Sequence, residues 1–432
     1  MRDIAVEIDN YIKRLFPICR SITGPGNRES LAILQEIAPI EIKEYPSGTP
    51  VYDWVIPHEW RVRDAYIRNS KGEKLVDFQA SNVHLVSYSE PVAKTMDYEE
   101  LELHLHIHPE LPDAIPYRTS YYKRDWGFCV THSQRERLRE EGESLEVVID
   151  SEFDERGSLS VGEVLLPGKT GKEILVSTYI CHPSLANDNL SGAVMTAFLA
   201  KDLLARTDLM HSYRIVFVPE TIGAIAYCAM NEDVMKRIDT GLVVTTVGGP
   251  GKFGYKQSYD PGHHVNAMIE EVFKEEGLDY ITYPFDIHGS DERQYSSQGF
   301  RINIASITKD KYYEYPYYHT SLDNLDFVSG EQIAQSLGLY LDLIRLLDRN
   351  VCYRNLYPNC EVMLSKHDLY PKSGGAQVPR IGGKDELDLI LWFLFLADGT
   401  HTLAKISHTM GVDIEALESI AALLSEKGLV SL

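Results

Sequence analysis

His182 follows an apolar run, Ile174 to Ile180, and Asp188 comes just before a helix-forming stretch that starts at Leu190. A short apolar run bounded in this way reads as a buried strand. An imidazole and a carboxylate beyond the carboxyl end of such a strand can share a divalent cation such as zinc. Three later segments also carry chemistry-bearing residues beside predicted strands or helices. Val216-Phe217-Val218-Pro219-Glu220-Thr221 places an acid at a strand-to-helix junction. His288-Gly289-Ser290-Asp291-Glu292-Arg293 precedes another strand, and Tyr318-His319-Thr320-Ser321-Leu322-Asp323 precedes a long helix. Taken singly, each has a plainer reading. A histidine at a strand end is usually a satisfied polar residue, and an acid at a helix start complements the helix dipole. Ser290-Asp291-Glu292 reads equally well as a capped helix N-terminus. Cys181 reads as a small buried residue rather than a nucleophile.

These segments need a scaffold of strands to bring them together. From about Gly157 to Asn350 the pattern alternates, with strands expected at 174–180, 213–218, 241–247 and 302–307. Helices are expected at 190–206, 222–237, 265–277 and 331–349, the last opening on a capping-box pattern at Ser329 to Gln332. Such alternation predicts an α/β fold with a mixed, mostly parallel sheet flanked by helices. Its ligand crevice should lie beyond the carboxyl ends of the strands. Residues 1–45 read as helices that belong to this domain, which resumes over 156–350. Between them, 46–155 reads as an inserted small β-rich domain, with runs at 51–56, 82–86, 101–107 and 145–149. Residues 351–432 read as a linker followed by short helices at 387–396, 403–410 and 414–426 and a terminal strand, a winged-helix-like pattern. The third of these helices carries Asp413, Glu415, Glu418 and Glu426, a face that DNA would repel.

The segments from about 160 to 350 resemble the zinc aminopeptidases of the co-catalytic two-metal type, the group of the leucyl aminopeptidases and aminopeptidase Y. With the β-rich insertion and the tail, the chain is similar to a bacterial subgroup of aminopeptidase-like domain proteins described alongside polysaccharide biosynthesis. The resemblance implies His182, Asp188 and His319 as metal ligands and Glu220 as general base. It also implies a substrate pocket near Asp291, where Arg293 and Tyr318 are further candidates for substrate contact. The chain departs from the family pattern at three places. Thr221 stands where a second glutamate ligand belongs, Thr246 marks a segment lacking an aspartate ligand, and Ser184 replaces a supporting aspartate. With two ligands missing, one zinc ion per chain is the expectation, held by three protein groups with an open fourth place.

The expected activity is therefore hydrolysis of an amide bond in a small peptide or amino-acid conjugate. Two alternatives stay open: an N-acyl sugar or N-acyl amino acid deacylase, and a non-catalytic binding protein on the same scaffold. The net charge of −22 argues against a nucleic-acid partner. No apolar run approaches the roughly 20 residues that span a bilayer. The first residues lack the apolar segment of a secretory signal, so the expected location is the cytoplasm. The six cysteines are scattered, without a CxxC pair, and read as reduced thiols. A homo-oligomer is compatible with all of this.

Overall fold

The computed structural model describes residues 2–142, 144–370 and 384–432. The chain divides into two compact units. The first comprises residues 1–167, 172–207 and 212–341, and the second 168–171, 208–211 and 342–432.

The first unit is built on an eight-stranded sheet. In spatial order its strands are Glu41–Pro46, Ser158–Leu166, Ser212–Val218, Glu173–Tyr179, Thr240–Val244, Asn303–Lys309, Phe253–Lys256 and Tyr280–Tyr283. The middle four run parallel to one another. They are almost wholly buried, as a sheet covered on both faces requires, and every residue of Thr240–Val244 and Asn303–Lys309 is buried. The fold is thus the mixed α/β arrangement that the alternation predicts. The outer strands were harder to foresee. Glu41–Pro46 lies within a stretch read as helical, yet it pairs antiparallel with Ser158–Leu166. It is an edge strand rich in charge, so it carries little apolar signal.

The β-rich segment forms a four-stranded antiparallel sheet, Lys74–Asp77, Glu59–Arg68, Leu145–Asp154 and Val92–Met96. Two runs read as strands are something else. Asn82–His84 is a single tight helical turn. The alternating run at 101–107 splits into the end of a helix, Tyr98–Glu102, and a two-residue strand, Leu105–His106. Asp97 explains the helix: its side chain accepts the Glu100 N–H, and Glu99 and Glu100 fill the first turn, where negative charge is favoured.

The second unit has helices Glu386–Leu396, Leu403–Met410 and Ile414–Glu426 and a three-stranded sheet of Asp398–Thr402, Cys352–Asn355 and Val430–Ser431. Phe393, Ile406, Leu417, Leu424 and Leu429 form its buried core. This is the winged-helix pattern, with two strands beyond the terminal one expected. The linker expected after residue 351 includes 371–383, which lie outside the described residues. All cysteines among the described residues are free thiols. No helix among the described residues is long and apolar enough to cross a membrane.

Candidate metal and catalytic site

Each parallel strand delivers a residue to one edge of the sheet. His182 follows Tyr179, Glu220 follows Val218, and Thr245 and Thr246 follow Val244. Ser290 and Asp291 lie in the loop before the Glu292–Tyr295 turn, and His319 lies between the Asn303–Lys309 strand and the Gly330–Arg349 helix.

Buried polar contacts hold these loops. Arg20, itself fully buried, donates from Nε to the His182 carbonyl at 2.9 Å and from a terminal nitrogen to the Pro183 carbonyl at 2.8 Å. Asp323 accepts the backbone N–H groups of Asn187 at 2.6 Å and Asp188 at 2.9 Å, and the Tyr315 hydroxyl at 2.9 Å. Asn189 accepts the Gly192 and Thr246 N–H groups, each at 3.2 Å. Gly192 is required here, because a Cβ would lie 2.2 Å from the Asn189 oxygen and 2.7 Å from the Val244 carbonyl. The helix that starts at Gly192 can therefore approach the sheet closely and carry the Asp188 loop with it.

His182, Asp188 and His319 meet. Their candidate ligand atoms all lie within 4.8 Å of one another. Asp188 Oδ2 and His319 Nε2 are 3.1 Å apart, yet both are buried without a hydrogen-bond partner. Two orphaned donor atoms of this kind, aimed into one space, fit a cation that takes lone pairs from both. Burial lowers the His182 pKa to about 4, so the ring is neutral at pH 7 and keeps a lone pair for a metal. Burial disfavours the Asp188 carboxylate, but the neighbouring imidazoles and a phenol outweigh it and hold its pKa down to about 2. The donor set therefore suits zinc.

Glu220 closes the cluster. Its Oε2 lies 3.9 Å from His182 Nε2, and its Oε1 accepts the Ser290 hydroxyl at 2.7 Å. Burial first, then the charges of Asp291 and Asp188, push its pKa well above the usual carboxylate range. Ser290 is thus a partner of Glu220 and not a helix cap. Asp291 is buried, accepts the Thr221 N–H at 2.7 Å through Oδ1 and leaves Oδ2 without a partner. Burial raises its pKa to about 7. Arg293 is exposed, with one long contact to the Ile287 carbonyl at 3.4 Å. His288 is exposed and outside the cluster. Cys181 is buried and its thiol is pushed well up, so it has no thiolate character at neutral pH.

Aromatic rings wall the cluster. Tyr318 stacks on His319 at 3.9 Å, and Tyr117 from the β-rich segment sets its edge against both His182 and His319 at 5.1 Å. Thr221, Thr246, Tyr313 and His319 all have positive φ. Non-glycine residues in that region cost about 1–3 kcal/mol each and gather at functional sites. Arg20, Tyr179 and the roles of Asp323 and Ser290 were not found by sequence reading. The segment Tyr318 to Asp323 contained Asp323, but nothing local marks Arg20 or Tyr179.

A second cluster also brings metal-binding side chains together: Asp239, His263 and His264. His263 Nδ1 accepts the Val265 N–H at 3.3 Å at the start of the His264–Glu275 helix, and Nε2 lies 3.0 Å from Asp239 Oδ2.

A family described as a domain of unknown function, DUF4910, matches residues 9–350, and a winged helix-turn-helix family matches 351–432. A Clostridium acetobutylicum protein named for polysaccharide biosynthesis and an aminopeptidase-like domain is 42% identical over 427 residues, covering 99% of this chain and 96% of its own. A solved structure from Clostridium acetobutylicum, named for a peptidase, is 40% identical, covers 100% of this chain and 97% of its own, and superposes with a TM-score of 0.82. The zinc aminopeptidase BSAP of Bacillus subtilis shares the fold at 13% identity, with a TM-score of 0.58 over 79% of this chain and 95% of its own.

Proposed function

The chain belongs to the DUF4910 family, and from that premise we propose that it is a metal-dependent amide hydrolase of aminopeptidase type. One observation carries the reading: His182, Asp188 and His319 converge with two orphaned ligand atoms beside a proton-accepting glutamate. These three side chains would hold one zinc ion, which when bound supplies Lewis acidity toward a carbonyl and makes a water more acidic. Glu220 is the general base. The Ser290 hydroxyl fixes one of its oxygens, so the other faces the histidine cluster. From there it takes a proton from the attacking water and returns it to the leaving nitrogen. Tyr318 and Tyr117 exclude water and offer flat surfaces to the substrate. Asp291 Oδ2, before the Glu292–Tyr295 turn, offers an acceptor to an ammonium, and Arg293, within it, offers charge to a carboxylate. The substrate is a small peptide or amino-acid conjugate, handled in the cytoplasm without a nucleic-acid or membrane partner.

The name of the Clostridium acetobutylicum relative favours a second reading, an N-acyl sugar as the amide. It uses the same cluster and differs only in what the tyrosines stack upon. Zinc content and turnover of aminoacyl and N-acetyl amino sugar substrates test both readings. Zinc-loaded protein that cleaves an amide, and a Glu220→Gln variant that keeps zinc but not turnover, support the proposal. Protein that binds zinc and cleaves neither class contradicts it.

A further inference from the structure

Asp188 has two oxygens, and the fold has already used one. Tyr179, the last residue of its strand, places its hydroxyl 2.5 Å from Asp188 Oδ1. The same hydroxyl lies 2.7 Å from Thr245 Oγ1. A phenol has one proton to give, and a carboxylate with no proton of its own can only accept. The proton of Tyr179 therefore goes to Asp188, and Thr245 must donate to the phenol oxygen. The chain runs Thr245 to Tyr179 to Asp188, and all three members are buried. Its end point is asymmetric. Oδ1 is satisfied, while Oδ2 is buried without a partner, 3.1 Å from the equally orphaned His319 Nε2.

The backbone fixes the other side of the carboxylate. Asp323 holds the N–H groups of Asn187 and Asp188, so the loop that carries the carboxylate is fixed in place. Thr245 is held too, since it immediately follows a fully buried strand.

We infer that Tyr179 is a positioning residue that orients Asp188 as a one-oxygen ligand. With Oδ1 engaged by the phenol, Oδ2 is the oxygen left facing His319. Partners that orient a ligand in this way typically change metal affinity by about 10–100-fold when removed. The inference rests on the metal reading above and goes further by saying which oxygen is free and why.

The test is a cobalt(II) titration of the full chain, followed by visible absorption and by elemental analysis of the dialysed protein. Wild type should saturate at about one equivalent, with the intense absorption of a four-coordinate ion. Tyr179→Phe frees Oδ1 to join the same ion. Affinity should fall by about tenfold or more, and the absorption should weaken as the coordination number rises. Thr245→Val, which removes only the donor to the phenol, should move both readouts in the same direction by less. It keeps the test alive should Tyr179→Phe fold poorly. Tyr179→Phe and Thr245→Val proteins whose spectrum and affinity match wild type would overturn the inference while leaving the hydrolase reading intact. Wild type that takes up no cobalt and no zinc would remove the metal reading itself, and this inference with it.

Discussion

Among the described residues, two clusters bring histidine and aspartate within metal-binding distance, and they differ in what remains unspent. At Asp239, His263 and His264, His263 Nδ1 accepts a backbone N–H, so in the neutral ring Nε2 carries the proton and donates to Asp239. Neither nitrogen has a lone pair left. Asp239 is 71% exposed, so water satisfies what remains. At His182, Asp188 and His319, Asp188 is 1% exposed and two ligand atoms have no partner. Proximity is the same in kind at the two places. Proton inventory and burial are what separate a helix cap with an ion pair from the cluster proposed to hold a metal.

The largest expected break in this comparison is His182→Ala. It should lose stoichiometric zinc and all measurable hydrolysis, whereas His263→Ala should retain both, as elemental analysis and a turnover assay on the purified proteins would show. Next comes Glu220→Gln, which sharpens the division of labour inside the first cluster. Its kcat should fall by about 10²–10⁴-fold, the usual contribution of a positioned proton carrier, with zinc content unchanged.

A smaller effect concerns Asp291 and appears in metal-free protein as stability against pH. Burial lifts its pKa to about 7 in the folded state, against roughly 3.9 in the unfolded chain. The folded form therefore binds the proton more tightly. The stabilisation is complete below about pH 4 and is lost as pH rises to about 7. Asp291→Asn should flatten this slope, by on the order of 1–4 kcal/mol across the window, in calorimetric or denaturant unfolding. Asp188 has the opposite sign: its lowered pKa makes its contribution disappear as pH falls from about 4 to about 2. The smallest effect is at the second cluster. His263→Ala removes a helix cap and should cost about 1 kcal/mol, with no dependence on added zinc.

Much of this was legible in the sequence because it is carried by local pattern. The central strands and their helices announce themselves by apolar runs, and the strand-end positions of His182 and Glu220 follow from those runs. His319 was legible only through its place in an ordered set of segments. What the sequence hid depends on long-range contact. Arg20 binds carbonyls 162 and 163 residues away, and nothing near it marks that role. Tyr179 looks like one more apolar strand residue until its hydroxyl is seen on Asp188. Ser290 reads as a cap because serine often caps, but its hydroxyl turns to Glu220. The edge strand Glu41–Pro46 was hidden by charge, and the Tyr98–Glu102 helix by an alternation that a single capping aspartate overrides.

The most direct test is an anomalous difference map at the zinc edge from a crystal grown with zinc. A single peak about 2.0–2.3 Å from His182, Asp188 and His319, and none between Asp239 and His263, is the predicted result. Density at Asp239 and His263, or none among His182, Asp188 and His319, would contradict it.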